Sequence, residues 1–293
     1  MTPDRPTLGI VTLSFNQARF LPDAMASVAL SRPGRLRYVV VDPGSEDGSR
    51  DLVLVEGDRV SARVFEPDSG PAEGLNKGVA LLDTDVIGFL NADDFYLPGA
   101  LDHVLEVFGR EPGVDVLTGS LVVVDEHARP RRGVVPSRFS ARAYLEGWAR
   151  VLQQSTFFSR RLWDAGSRFN PGNRTCWDGE FFVDVALRGA RFERTRATLA
   201  AFRLHGGSIT GRLHRELAAG SQLLAEQYQS DQARIAGRIR AAGIRLRAWA
   251  PLARIGVRLD PVRRFRELLV LARALRAWRA GDPAIHPSAR RPG

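Results

Sequence analysis

The chain has 293 residues, 44% apolar and 26% charged, with 28 Gly and 17 Pro, a composition that excludes disorder, collagen and coiled coil. The formal charge of +9 points to a nucleic-acid binder only until it is divided: residues 212–293 hold 17 Arg against 6 acidic residues, a net of +11, and residues 1–211 carry −2. The basicity belongs to the tail, and the lone Cys176 excludes an internal disulfide and a Cys-based zinc site.

The first apolar run, Leu8 to Leu13, is too short and too soon followed by polar residues to be a signal-peptide core. A cytoplasmic, reducing setting is therefore expected, and no apolar run is long enough to span a bilayer. Strands are predicted at Leu8 to Leu13, Leu36 to Asp42, Arg63 to Glu66, Val86 to Leu90 and Val114 to Leu117. Helices are predicted at Phe20 to Leu30, Ser49 to Val55, Ala72 to Leu82 and Gly99 to Phe108. This alternation is an α/β signature. Neither a Walker loop nor a Gly-x-Gly-x-x-Gly fingerprint is present. From Arg212 the composition shifts to Arg, Ala and Leu at helical spacing, with breaks at Pro251 and Pro261 and a polar end from Asp282. A boundary near 211 divides the chain into 1–211 and a helical 212–293.

Three predicted strands run into carboxylates. Val86 to Leu90 leads into Asn91-Ala92-Asp93-Asp94, Val39-Val40-Val41 into Asp42, and Phe65-Glu66 into Pro67-Asp68-Ser69-Gly70. In an open parallel sheet the carboxyl edge is where ligands bind. An isolated Asp-Asp pair most often caps a turn; acids on three adjacent strand ends suit a hard cation such as Mn²⁺ or Mg²⁺, completed by phosphate oxygens.

Thr12-Leu13-Ser14-Phe15-Asn16, Val41 to Ser49, Glu66 to Gly70, Leu75-Asn76-Lys77-Gly78 and Gly88 to Asp94 resemble, in order and spacing, the successive signatures of family 2 glycosyltransferases. The resemblance covers roughly residues 7–211. It implies the GT-A fold, a Rossmann-like mixed and mostly parallel sheet flanked by helices, here with a basic helical C-terminal extension. It also implies a nucleotide-sugar donor contacted by Ser14, Asn16, Asp42, Asp68, Gly70, Lys77, Asn91 and Ala92. Asn91-Ala92-Asp93 stands where the family has Asp-x-Asp. The loss of the first carboxylate places the expected Mn²⁺ or Mg²⁺ on Asp93, with Asp94 beside it and His205 reaching in from Leu204-His205-Gly206-Gly207-Ser208-Ile209-Thr210.

Cys176-Trp177-Asp178-Gly179-Glu180 resembles the acidic helix start that supplies the family's catalytic base. An inverting transfer needs one carboxylate to take the acceptor hydroxyl proton. Asp178 holds that position, and Glu180 stays open as the alternative. Gln154 and Trp177 fall where the family meets its acceptor. The Gln-x-x-Arg-Trp motif of processive synthases is absent, so one sugar per encounter is expected, in cell-surface polysaccharide or glycolipid synthesis.

In the tail, Arg234, Arg238, Arg273 and Arg276 interleave with Ile235, Ile239, Leu271 and Leu275. Such helices either lie on an anionic membrane carrying a lipid-linked acceptor, which makes the protein peripheral, or pack on the catalytic domain. A nucleic-acid binder would leave the carboxylate-tipped strands without a role, since they repel phosphate; no nucleic-acid partner is expected. A sugar nucleotidyltransferase would need a basic, glycine-rich loop where Ser14-Phe15-Asn16-Gln17 stands. A noncatalytic sugar-nucleotide binder is the remaining alternative.

Overall fold

The computed structural model describes residues 6–30, 36–208, 222–244 and 261–279. Ile209, Thr210, the boundary at 211, the break at Pro251 and the end from Asp282 lie outside them. In chain order the elements are β1 (Leu8–Leu13), α1 (Leu21–Leu30), β2 (Leu36–Val41), α2 (Ser49–Val55), β3 (Ala62–Val64), α3 (Pro71–Ala80), β4 (Val86–Asn91), β5 (Phe95–Tyr96) and α4 (Ala100–Arg110). There follow β6 (Val116–Val124), β7 (Pro130–Val134), α5 (Ala141–Leu145), β8 (Thr156–Ser159), α6 (Arg160–Asp164), α7 (Trp177–Leu187), β9 (Phe192–Arg203), α8 (Gln222–Ala241) and α9 (Pro261–Arg279).

The nine strands form one sheet in the order β3-β2-β1-β4-β8-β6-β9-β5, with β7 paired to β6. β1 is parallel to β2 and β4, and β2 to β3, whereas β8 is antiparallel to both β4 and β6. Because β8 reverses and β6 reverses again, β6 and its parallel neighbour β9 run the same way as β1 to β4. The carboxyl ends of β1, β4, β6 and β9 therefore meet at one edge. The switch point lies between β1 and β4, where Leu13 is paired with Asn91, and ligands collect at such crevices.

Both faces of the parallel half are covered, so its strands read as continuous apolar runs rather than as an alternation. Ile10, Val40 and Leu90 pack under α1 and α4. Val11, Val39, Val41 and Phe89 face the other way, against α3, α6 and α7. Gly88 has no room for a side chain, since a Cβ would stand 2.6 Å from the Phe157 ring and 2.8 Å from Ile10.

The sheet departs from expectation at β6, predicted to end at Leu117 but continuous to Val124. Its first part pairs with β8, and its second with β7 and the end of β9. A strand that changes partners in this way carries no single hydropathy period. β7, β8 and β9 were not foreseen from the sequence either.

The tail helices pack on the domain. Ile235, Ala236 and Ile239 of α8 are buried with Ala141 and Leu145 of α5 and Val183 of α7. α9 lies along β7, where Gly133 leaves room for the Glu267 carbonyl and Val270. Its Leu268 and Leu269 are exposed. No described helix is long and apolar enough to cross a membrane.

The segment before α7 hangs on Phe169, which is fully buried, stacks on Phe181 at 4.1 Å and meets Trp177 edge-on at 5.6 Å. Phe169→Ala is expected to lower stability by about 3–5 kcal/mol, the range for emptying a buried aromatic site, read as a fall in the urea midpoint.

Candidate active site

A cleft of about 940 Å³ opens at the carboxyl edge of the sheet. Its polar half is built from β1 and β4 and the loops that follow them. Ser14 donates its N–H to the Val41 carbonyl and Ala92 to that of Leu13, which fixes both loops at the switch point. Asn16 adopts a left-handed φ of 51°, a conformation Asn tolerates better than most residues. Its side-chain Oδ1 accepts from the Glu46 N–H and its backbone N–H donates to Ser45 Oγ, so this loop and the one after β2 brace each other. Ser14, Asn16, Asp68, Gly70, Asn91, Ala92 and Asp93 all line the cleft.

Asp93 and His205, 112 positions apart in the chain, meet here, with Asp93 Oδ2 and His205 Nε2 3.0 Å apart. His205 Nδ1 accepts from the Gly207 N–H at 3.2 Å, so Nε2 carries the proton and donates it to the carboxylate. The ring also leans on Phe20, centroids 4.5 Å apart. A carboxylate and an imidazole already converging, with Asn91 beside them in the lining, fit one divalent cation. Asp93 and His205 would be the side chains that hold it, and oxygens of a phosphate ligand would complete the coordination. Among the described residues no group of three or more His, Cys, Asp or Glu could hold a metal by itself.

Four expected residues lie elsewhere. Asp94 is fully buried, and its carboxylate accepts from Gln154 Nε2 at 2.9 Å and the Arg203 N–H at 2.8 Å. Burial, then the charge of Asp93, holds its carboxyl well above the usual range, and Asp94, unlike Asp93, does not line the cleft. Asp42 is also fully buried. Its oxygens accept from the Gly44 and Ser45 N–H groups, from Ser45 Oγ and from Arg50. Burial pushes its carboxyl up, but the bonds from Ser45 and Gly44 outweigh that and hold it below the usual value; it shapes the 42–45 turn. Lys77 Nζ donates to the Pro67 carbonyl at 2.7 Å and faces Glu73 at 3.4 Å, clamping the turn that carries Asp68. Glu180 is 2% exposed and faces Asn170, Asn173 and Arg238, away from the cleft.

Asp178, by contrast, lines the cleft with Trp177 and Thr175. Asp178 and Glu180 are two residues apart on α7, about 200° around the helix, so they point to opposite sides. Burial raises the Asp178 carboxyl above its ordinary value, partly offset by the Gly179 N–H on its Oδ1 at 2.8 Å. Asp68 is likewise raised, by burial and then by Glu73, against the Gly70 N–H, Lys77 and Arg174. Cys176, buried at the start of α7, has its thiol pushed up to about 12 by burial, so it is no nucleophile at neutral pH.

The other half of the cleft was not legible from the sequence. Leu121 and Val123 of β6 stand opposite Val134 and Arg132 of β7, and Val123 opposite Phe202 of β9. All five line the cleft, with Leu152 and Arg150 beside them. An apolar floor edged by arginines thus adjoins the acidic half. The unbroken apolar run of residues 121–124 was its only signal. Gln154 lines the cleft too, with its amide nitrogen committed to Asp94.

Residues 9–163 match the model for Glycosyl transferase family 2. The chain is 28% identical over 261 residues to the succinoglycan biosynthesis protein ExoU of Rhizobium meliloti, covering 81% of this chain and 72% of that one. Among solved structures, the mannosyltransferase PcManGT from Pyrobaculum calidifontis, in complex with GDP-Man and Mn²⁺, superposes with a TM-score of 0.56 at 14% identity, over 98% of this chain and 86% of that one. TarS 1-349 of S. aureus in complex with UDP-GlcNAc gives 0.57 at 14% identity, over 69% of this chain and 60% of that one. These likenesses confirm the GT-A fold. With the family match spanning more than half its length, the chain belongs to glycosyl transferase family 2 and is a glycosyltransferase.

Proposed function

We propose that this glycosyltransferase moves one sugar from a nucleoside-diphosphate sugar to an acceptor hydroxyl with inversion, and that Asp178 is the base. The observation that carries this reading is that Asp178 opens α7 into the same cleft as Asp68, Asp93 and His205. The Asp178 carboxylate takes the acceptor hydroxyl proton as that oxygen bonds to the anomeric carbon, while the bond from the anomeric carbon to the diphosphate breaks on the opposite face. A carboxylate whose charged form is disfavoured by burial is the stronger base. Asp68 accepts hydroxyl protons of the donor, and Ser14 and Asn16 shape the wall beside it. Asp93 and His205 would hold Mn²⁺ or Mg²⁺, which supplies charge to offset the departing diphosphate.

The acceptor belongs on the apolar floor of Leu121, Val123, Val134 and Phe202, with Arg132 and Arg150 at its edge. Such a surface suits a lipid-linked acceptor with an anionic group next to its apolar chain. The +11 of the tail and the exposed Leu268 and Leu269 of α9 support a peripheral position on an anionic leaflet. Each basic residue near such a surface contributes about 1 kcal/mol, screened by salt. The full chain should co-sediment with vesicles containing phosphatidylglycerol and come off as salt rises; equal binding to neutral vesicles would count against this placement.

Asp178→Asn should keep donor binding in a thermal-shift screen of UDP-, dTDP- and GDP-sugars with Mn²⁺, and lose about 10²–10⁴-fold in turnover, as expected for a proton-transfer group. Because its carboxyl is raised by burial, the base form is lost as pH falls through a value above the ordinary carboxylate pKa of about 3.9. The acid limb of the kcat profile should lie there and be absent from the residual activity of Asp178→Asn. Wild-type turnover in this variant, with loss in Glu180→Gln, would move the base to Glu180.

Asp93→Asn and His205→Ala should each weaken the stabilisation by a nucleotide sugar in Mn²⁺ while leaving that seen in EDTA unchanged. Identical loss with and without the metal would remove these two residues from the metal site.

A further inference from the structure

α8 is joined to the catalytic domain by more than its apolar seat. Two buried carboxylates lie at the junction, and both act on the segment that enters α7. Asp231 of α8 is fully buried. Its Oδ2 accepts from Thr175 Oγ1 at 2.7 Å and from the Arg174 N–H at 3.2 Å. Its Oδ1 accepts from Gln227 Nε2 at 3.1 Å and faces Arg234 at 3.4 Å. Glu180 of α7 accepts from Asn173 at 2.7 Å, from Asn170 at 3.1 and 3.2 Å, and from Arg238 of α8 at 3.2 Å.

The asparagines carry this restraint to the helix start. Asn173 Oδ1 accepts from the Cys176 N–H at 2.9 Å and the Thr175 N–H at 3.2 Å, which caps α7 where Cys176 itself makes no side-chain cap bond. The next residues are Trp177 and Asp178. Arg174, whose N–H rests on Asp231, extends its guanidinium over Gly70, where a Cβ would meet it at 2.9 Å. Gly70 has a φ of 136°, a conformation that residues with side chains rarely adopt. Two charges taken out of water are a poor way to stabilise a helix–domain contact, which apolar side chains make as well or better. What fully bonded carboxylates supply is fixed geometry.

We propose that α8 is a positioning element of the active site, in which Asp231 and the Arg238–Glu180 pair hold residues 170–176 and the first turn of α7 so that Asp178 faces the cleft. This inference rests on Asp178 being the base. Asp231 and Arg238 act through Asp178 and touch no substrate. The basic tail is then part of the catalytic unit, whatever its outer face binds.

The test uses the full chain with Mn²⁺ and follows release of UDP from UDP-glucose or GDP from GDP-mannose. Arg238 has a side chain 46% exposed, so Arg238→Ala is expected to fold. It should lower kcat about tenfold, since small misplacements of a reacting group cost up to about a hundredfold, and leave KM for the donor within about twofold, the signature of an interaction absent from ground-state binding. Arg238→Lys should recover most of the loss, and Asp231→Asn should behave like Arg238→Ala. In an Asp178→Asn background, Arg238→Ala should cost nothing further. Unchanged kcat in both Arg238→Ala and Asp231→Asn, or the same fall with and without Asp178, would overturn the positioning role. Wild-type turnover in Asp178→Asn alone would overturn the base reading on which it rests.

Discussion

Asp94 has no water to solvate it, and its two oxygens are taken by the Arg203 N–H and the Gln154 side chain. That arrangement ties the end of β4 to the end of β9 and to the turn before β8, three points far apart in sequence. Arg203 is held in turn by a buried ion pair with Asp23 at 2.8 Å and lies over the rings of Phe20 and Phe95. Two residues beyond Arg203 stands His205, and one residue before Asp94 stands Asp93. The outward pair can meet at 3.0 Å because the inward carboxylate has fixed both chains. A buried acid left unbonded would cost several kcal/mol or neutralise itself, so the inner bonds and the outer geometry stand or fall together.

The same division of labour recurs at α7. Glu180 turns inward and is saturated by side-chain donors, while Asp178 turns to the cleft and has a single N–H on its carboxylate. At Asp42 and Lys77, too, charge is spent inside the protein, on the turns that carry the cleft residues. At Asp93 and Asp94, and at Asp178 and Glu180, one carboxylate thus organises the protein and the other lines the cleft.

The parallel half was legible because its strands are covered on both faces, and unbroken apolar runs ending in acids leave little choice of period or edge. β1, α2 and β4 appear within a residue of where the sequence places them. That Asp94 turns away from the cleft was not legible, since it depends on a partner over a hundred positions away, Arg203. The apolar floor was missed for a related reason. Nothing in the sequence sets Arg132 apart until pairing puts it opposite Val123. Asp231 gave no signal, because a single acid in an Arg-rich helix looks like surface until Thr175 and Arg174 are brought to it.

The two halves of the cleft hang on different parts of the chain. The acidic wall belongs to the central strands and their first loops, whose glycines and buried valines admit little change. The apolar floor belongs to β6, the end of β9 and β7, and β7 pairs with β6 alone. β7 lies off the path of the other strands, so its cleft-facing side chains can be exchanged while β1 to β4 keep their register. In descendants of such a chain the floor can therefore change shape and charge while the acidic wall stays as it is.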